Sequence, residues 1–230
     1  MPRIGVIIVA GGSGVRMGSP IPKQFLPLQG KPLLVRTVER LLSILPAARM
    51  VIALPKEEIG RWTGIMTEYG LQGTHTLCNG GSTRFESVKN ALSTIGPCDI
   101  IAVHDGVRPF VSAGLVQRVI DTASLHGTAI PCIAPDDSFR QLTPDGGSAP
   151  IDRSMLRAVQ TPQAFSAELL HHAYQTPYDP RFTDDASVVE YSEGWPVTLC
   201  EGDPANIKIT TPFHMALAEA LLNSEHGNKI

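Results

Sequence analysis

The chain predicts a three-layer α/β domain on a mostly parallel sheet, and two observations carry that expectation. Short, continuous β-branched runs recur along it: Ile4 to Val9, Met50 to Leu54 and Asp99 to His104. They lack the polar alternation of a strand with one wet face and suit strands covered on both sides. Longer segments with helical spacing separate them, and alternation of this length implies right-handed strand–helix–strand crossovers. At 230 residues and 43% hydrophobic composition the chain can bury one sizeable core. No internal repeat is visible, so residues 1–230 are expected to form a single domain.

Each element has its own justification. After the first strand, Leu33, Leu34, Val38, Leu41, Leu42 and Leu45 share one helical face, with Arg36, Glu39, Arg40 and Ser43 facing away. Pro32 stands where a helix can begin. The second strand is Met50 to Leu54. A second helix fits Lys56 to Tyr69, stopping at Gly70, and a third runs from about Thr83 through Val88, Ala91 and Leu92, ending before Gly96-Pro97. The third strand leads into a fourth helix, Ala113 to His126, with Ser112 as N-cap and Gly127 as its stop. From Ile133 to Met155 the rhythm breaks: Ala134-Pro135-Asp136-Asp137-Ser138 and Thr143-Pro144-Asp145-Gly146-Gly147-Ser148 carry dense turn signals around Phe139 to Leu142. A protruding β-arm or long loop is expected there, of the kind that reaches a second subunit. The tail is a capped helix, with Thr211 as N-cap, Pro212 at the first position and Met215, Ala218, Leu221 and Leu222 as its apolar stripe.

Composition narrows the function classes. A formal charge of −3 argues against a broad basic footprint for a nucleic-acid polymer or an anionic membrane, so phosphate chemistry must sit in a local cationic cleft. No apolar stretch approaches a membrane span, and Met1-Pro2-Arg3 runs straight into the first strand without a signal-peptide pattern, which makes the cytoplasm the expected location. Cys78, Cys98, Cys132 and Cys200 are scattered without a Cys-x-x-Cys pair and are expected to pack as small apolar residues.

The most informative segment is Ala10-Gly11-Gly12-Ser13-Gly14-Val15-Arg16-Met17-Gly18, directly after the first strand and followed by Pro22-Lys23-Gln24. Glycines there let backbone N–H groups approach a polyphosphate. The dinucleotide fingerprint fails because Met17 stands where a glycine is needed, and no Gly-Lys-Ser or Gly-Lys-Thr exists for a Walker A loop. Arg16 and Lys23 instead supply fixed cations, which suit phosphoryl or nucleotidyl transfer. A turn bearing two solvated basic residues is the competing reading of this segment alone. Gly80-Gly81 precedes a helix on which Arg84 and Ser87 share a face; a nucleotide site and a simple helix cap explain it equally well. Asp105 should emerge at the end of a buried strand, where open α/β sheets bind ligands. There it can contact a ligand or Mg²⁺, or simply pair with Arg108. His104 is expected to be a packed strand-end residue, and His171-His172 to be solvated. Gly-x-Ser-x-Gly and His-Glu-x-x-His are absent, which removes most of the support for serine-hydrolase and zinc-protease readings.

Taken together, Ala10 to Met17, Pro22-Lys23-Gln24, Gly80-Gly81 with Arg84 and Ser87, His104-Asp105 with Arg108-Pro109, Gln160-Thr161-Pro162-Gln163 with Phe165, Thr183-Asp184 with Ala186-Ser187, and Asn206-Ile207-Lys208-Ile209-Thr210 resemble the 2-C-methyl-D-erythritol 4-phosphate cytidylyltransferase family, in order along nearly the whole chain. The resemblance implies a Rossmann-like sheet of the nucleotide-diphospho-sugar transferase type with a β-arm. It implies that CMP passes from CTP to the polyol phosphate, releasing pyrophosphate, in non-mevalonate isoprenoid biosynthesis. By it, Ala10, Gly11, Gly12, Ser13, Gly81, Arg84 and Ser87 bind CTP; Arg16, Lys23, Arg153 and Lys208 are the catalytic cations; and Asp105, Arg108, Ser138, Thr161 and Thr183 contact the acceptor. Mg²⁺ would accompany the triphosphate, with Asp105 as its protein ligand. A homodimer would form through an arm at 133–155 that delivers Arg153 and Ser138 to the partner. Ribitol-5-phosphate cytidylyltransferase and a non-catalytic CTP-binding module are the competing readings; the retained cations speak against the second.

Overall fold

The computed structural model describes residues 2–12 and 17–227. Among them, eight strands form one sheet in the order β10-β7-β11-β6-β1-β4-β5, with β12 also paired to β7. The three sequence-expected strands are its centre: β1 (Ile4–Val9) lies between β4 (Arg49–Leu54) and β6 (Ile100–Asp105), parallel to both. β5 (Thr76–Asn79) extends the parallel set beyond β4. β7 (Thr128–Ile133), β10 (Ala158–Val159) and β11 (Gln163–Ser166) complete the other side, with β11 antiparallel to β6 and β7, and β12 (Leu199–Glu201) parallel to β7. β2 (Pro27–Leu28) and β3 (Lys31–Pro32) make a small separate ladder.

Because successive side chains of a strand point to opposite faces, the same strands feed two cores. Val6, Ile8, Ile52, Leu54 and Ala102 pack under α1 (Leu33–Ile44), α2 (Ile59–Glu68) and α4 (Ala113–His126). Ile7, Val51, Ala53, Ile101 and Val103 pack under α3 (Arg84–Leu92), α5 (Ala167–Ala173) and α6 (Asp185–Glu193). This is the expected three-layer arrangement.

The caps follow the sequence closely. Ser112 Oγ accepts from Leu115 N at 3.3 Å, and α4 ends at Gly127 in the left-handed region, φ +79°. The second helix begins as a 3-10 turn, Lys56–Glu58, before turning α-helical. α7 (Pro212–Gly227) starts after Thr211, whose hydroxyl accepts from His214 N, and buries Ala218 and Leu222 against Val107 and Ile209. Where the rhythm was expected to break, β8 (Phe139–Leu142) and β9 (Ser148–Ile151) pair as a hairpin separate from the main sheet. All four cysteines are free.

One buried contact reports on the helical layer. Trp62, fully buried on α2, donates its indole N–H to His75 Nε2 at 2.9 Å. That leaves the imidazole proton on Nδ1, facing Thr74 Oγ1 at 2.8 Å, while the Thr74 hydroxyl donates to Leu71 O. The ring is therefore held neutral, and burial pushes its pKa down to about 4. Trp62→Ala should destabilise the fold by about 3–5 kcal/mol in urea unfolding, whereas Leu125→Ala, at a residue 77% exposed, should shift it by no more than about 0.5 kcal/mol. As pH falls below about 6.5, the unfolded chain takes up a proton at this histidine first. Stability should thus decline between pH 6.5 and 4, and His75→Gln should flatten that decline in a pH series of unfolding curves.

Candidate active site

Strand register assembles the site. Val9, the last residue of β1, pairs with Asp105, the last of β6, and with Ala53 on the other side, while Leu54 pairs with Asn79 at the end of β5. The loops that leave these strands, beginning at Ala10, Gly80 and Gly106, therefore open at one edge of the sheet. Connections depart to opposite sides of β1 there, the crevice where such sheets take ligands. A cleft of about 220 Å³ lies at that edge, walled by Ala10, Gly11, Gly12, Lys23, Gln24, Gly81, Ser82, Thr83, Arg84, Ser87, Asp105, Val107 and Lys208.

Both glycine segments are tightly built. A Cβ on Gly12 would meet the far end of the Lys23 side chain, which now lies against this backbone. Lys23 leads a 3-10 turn whose next residues, Gln24 and Phe25, are buried. In the second segment Gly81 N donates to Ser87 Oγ at 3.0 Å, and Ser87 Oγ donates back to Thr83 O at 2.9 Å. Thr83 and Glu86 form a reciprocal capping box at the start of α3. Glu86 Oε2 accepts from the Ser82 hydroxyl and from the Ser82 and Thr83 N–H groups, and these hydrogen bonds, Ser82 first, hold its carboxyl below the usual range. The segment is both a helix cap and a cleft wall.

Asp105 is the electrostatic centre. Its residue is 6% exposed, and its Oδ2 meets Arg108 Nε and Lys208 Nζ, each at 3.0 Å. Burial alone would push the carboxyl pKa up, but Lys208, Arg84 and Arg108 outweigh it and hold the group well below the ordinary carboxylate range. Arg108 also donates to Asn206 O at 2.8 Å, tying the Asp105–Arg108 turn to the segment that carries Lys208. Beneath it, His104 is wholly buried: its Nε2 faces Arg108 O and its Nδ1 faces the Thr161 hydroxyl, each at 3.1 Å. A carbonyl only accepts, so the proton sits on Nε2. Thr161 then donates to Nδ1 and accepts Asp105 N–H at 3.0 Å. Burial pushes the His104 pKa down to about 4, which keeps the ring neutral as the packed strand-end residue expected.

The other sequence-selected residues divide by position. Arg84 lines the cleft and pairs with Asp185 at 2.5 Å; burial works against its charge, but Asp185 outweighs it and raises the guanidinium pKa. Thr183 is exposed beside it, its N–H donating to Ser187 Oγ at 3.1 Å. Thr161 sits behind Asp105 instead of on the cleft wall. Ser138 and Arg153 are exposed near the hairpin, where Arg153 donates to Asp136 O, and neither is among the residues walling the cleft of its own chain. Ser13 and Arg16 lie outside the described residues. A second open hollow, about 270 Å³ beside Arg36, Arg40 and Phe110, shares none of these residues.

Some of the site escaped sequence reasoning. Gln24 is 1% exposed and borders the cleft with neither amide atom partnered; a glutamine next to a motif lysine carries no periodicity signal. Asp185, fully buried behind Arg84, carried no assignment in sequence, and Gln163, which accepts from Asp185 N and Ala186 N at 3.1 Å, entered only as the end of the Gln160–Gln163 motif.

Comparison with known proteins agrees with this geometry. The family described as IspD, 2-C-methyl-D-erythritol 4-phosphate cytidylyltransferase, matches residues 4–224. The chain is 46% identical over 216 residues to the 2-C-methyl-D-erythritol 4-phosphate cytidylyltransferase of Bacteroides fragilis, covering 94% of this chain and 98% of that protein. It is also similar to the crystal structure of 2-C-methyl-D-erythritol 4-phosphate cytidylyltransferase from Thermus thermophilus, with TM-score 0.77 and 32% identity over 96% of this chain and 99% of that one. A solved 4-diphosphocytidyl-2C-methyl-D-erythritol synthase from Anaerococcus prevotii gives TM-score 0.81 at 25% identity, covering 96% and 98%. Near-complete coverage at this identity, on a sheet whose strand ends bring the matching motifs to one cleft, places the chain in the 2-C-methyl-D-erythritol 4-phosphate cytidylyltransferase family.

Proposed function

We propose that this cleft transfers CMP from CTP to 2-C-methyl-D-erythritol 4-phosphate, giving 4-diphosphocytidyl-2-C-methyl-D-erythritol and pyrophosphate in isoprenoid biosynthesis. The observation that carries the reading is charge: among the described residues, Lys23, Arg84 and Lys208 line a cleft whose one lining carboxylate, Asp105, is already compensated. The chain as a whole is negative. A site of this kind receives small, highly anionic substrates.

An acceptor phosphate oxygen attacks the α-phosphorus of CTP in line, forming one O–P bond as the bond to the pyrophosphate oxygen breaks. The acceptor phosphate is ionised at neutral pH, so no strong general base is required. The obstacle is repulsion between two anions, met by positioning and fixed positive charge. We assign Lys23, held against Gly12, to the triphosphate, and Arg16 with it on the family resemblance alone. Lys208, 3.0 Å from Asp105, keeps its side chain 41% exposed at the cleft and is placed for charge developing on the phosphates. The Gly11–Gly12 and Gly81 backbone, with Ser87, holds the nucleotide; Arg108 and Thr161 keep Asp105 facing the junction of the two substrates, and Thr183 meets the acceptor.

Mg²⁺ fits as a companion of the triphosphate. Among the described residues no cluster of three or more His, Cys, Asp or Glu side chains forms a protein-built metal centre. Mg²⁺ commonly takes one or two carboxylates and completes its shell with phosphate oxygens and water; here Asp105 would be the carboxylate. The ion would neutralise charge on the phosphates.

The hairpin supports a homodimer. Phe139 and Leu142 on it, and Met155 just beyond, are 43%, 81% and 81% exposed, and Ser138 and Arg153 flank it away from their own cleft. A partner's cleft is the destination we assign to Arg153 and Ser138. No helix among the described residues is long and apolar enough to cross a membrane, in keeping with the cytoplasmic setting we assign. Methylerythritol phosphate is favoured over ribitol phosphate because the named relatives carry it in their names.

Lys23→Ala should lower kcat by on the order of 10²-fold or more with the fold retained, read by steady-state pyrophosphate release; near-normal turnover would contradict its role. Arg153→Ala should raise KM for the acceptor. Mixing the Arg153 and Lys23 variants should restore activity in mixed dimers; if mixed dimers form without recovery, the site is built within one chain. Parallel assays with methylerythritol and ribitol phosphates should favour the first.

A further inference from the structure

Arg84 is a cleft residue whose position is set from far along the chain. Its Nη2 donates to Asp185 Oδ2 across 101 residues of sequence. Asp185 has no exposed surface, and its other oxygen, Oδ1, accepts the Tyr174 hydroxyl at 2.7 Å. The same aspartate's N–H donates to Gln163 Oε1, whose amide Nε2 donates to Asp184 Oδ2 at 2.8 Å. Asp184 in turn caps α6 and shares a reciprocal capping box with Ser187, the hydroxyl that also receives Thr183 N–H. One buried carboxylate thus joins the nucleotide-facing start of α3 to the turn that carries Thr183. Arg84 stands on both sides of this junction: it lines the main cleft, and with Phe182, Thr183 and Asp184 it walls a narrow gap behind it.

We propose that Asp185 is a positioning residue that couples the two substrate subsites: through Arg84 it ties the start of α3 to the Thr183 turn, so that filling either subsite tightens the other. The proposal rests on reading the cleft as a CTP site and Thr183 as an acceptor contact. Its physical basis is a bridge without slack. Asp185 has both oxygens engaged and no contact with solvent, so a nucleotide that fixes the Arg84 guanidinium also fixes the α6 turn through the same carboxylate. An acceptor held at Thr183 finds that ordering already done, and the effect must be reciprocal because coupling is a property of the pair of sites.

The test is calorimetric titration with α,β-methylene CTP and Mg²⁺, which bind without turnover, in the presence and absence of saturating 2-C-methyl-D-erythritol 4-phosphate. In the unaltered protein the acceptor should tighten the analogue by roughly fivefold or more. Asp185→Asn keeps the shape and an acceptor for Tyr174 but removes the charge that holds Arg84, and the factor should fall to near one. Tyr174→Phe, which leaves the ion pair intact and frees only the back of the carboxylate, should reduce the factor partway with unchanged circular dichroism. An unchanged factor in both variants would overturn the proposal, as would independent binding of the two ligands to the unaltered protein. Failure of the unaltered protein to bind the analogue at all would instead remove the nucleotide reading on which the proposal stands.

Discussion

The site is organised around a carboxylate that has no right to be ionised where it stands. Asp105 ends a strand buried along its whole length, and an unpaired charge there would be heavily penalised. The structure meets that demand with Arg108 from the following turn and Lys208 from a segment about a hundred residues later, with Arg84 nearby adding to the field. Each of these cations is delivered by a different element, so neutralising one carboxylate draws β6, α3 and the 206–208 segment to a common point. The requirement that makes Asp105 stable also concentrates positive charge at the cleft.

A second consequence is stiffness. Two of the walls are turns closed by side chains: Ser87 and Glu86 lock the second glycine segment, and Thr161 and His104 fix the Asp105 backbone from behind. Donors that are already oriented need not reorganise as charge moves from one phosphate to another, which is where electrostatic catalysis gains its effect. The Arg84–Asp185 pair extends the same logic to the neighbouring turn.

Much of this was legible in sequence because it depends on local rules. The strands at 4–9, 50–54 and 100–105, the Ser112 and Thr211 caps and the Gly127 stop follow from apolar runs and short-range hydrogen bonding, and each lies within a residue or so of its expected position. In the main sheet, β5, β7, β10, β11 and β12 were not anticipated. β7 is as long as β1, but the others have four residues or fewer, and two of them, Thr76–Asn79 and Leu199–Glu201, are partly exposed edge segments whose strand state comes from pairing with β4 and β7, which no local window contains. Residues of the site divide in the same way: Lys23, Arg84 and Asp105 stood out by type and position, Lys208 only through the family resemblance, whereas Gln24 and Asp185 owe their interest to burial.

Sequence by itself determined the alternation of strands and helices, the helix ends, and the presence of glycine turns and cations suited to phosphate, since all of these rest on contacts between residues a few positions apart. Tertiary structure decided what those letters do. It put Val9 beside Asp105, turned Thr161 inward to serve His104, gave Arg84 its partner across 101 residues, and set Ser138 and Arg153 away from their own cleft. The reason is that charge compensation and burial are properties of a packed neighbourhood, and a chain meets its neighbours only after the sheet has chosen its order.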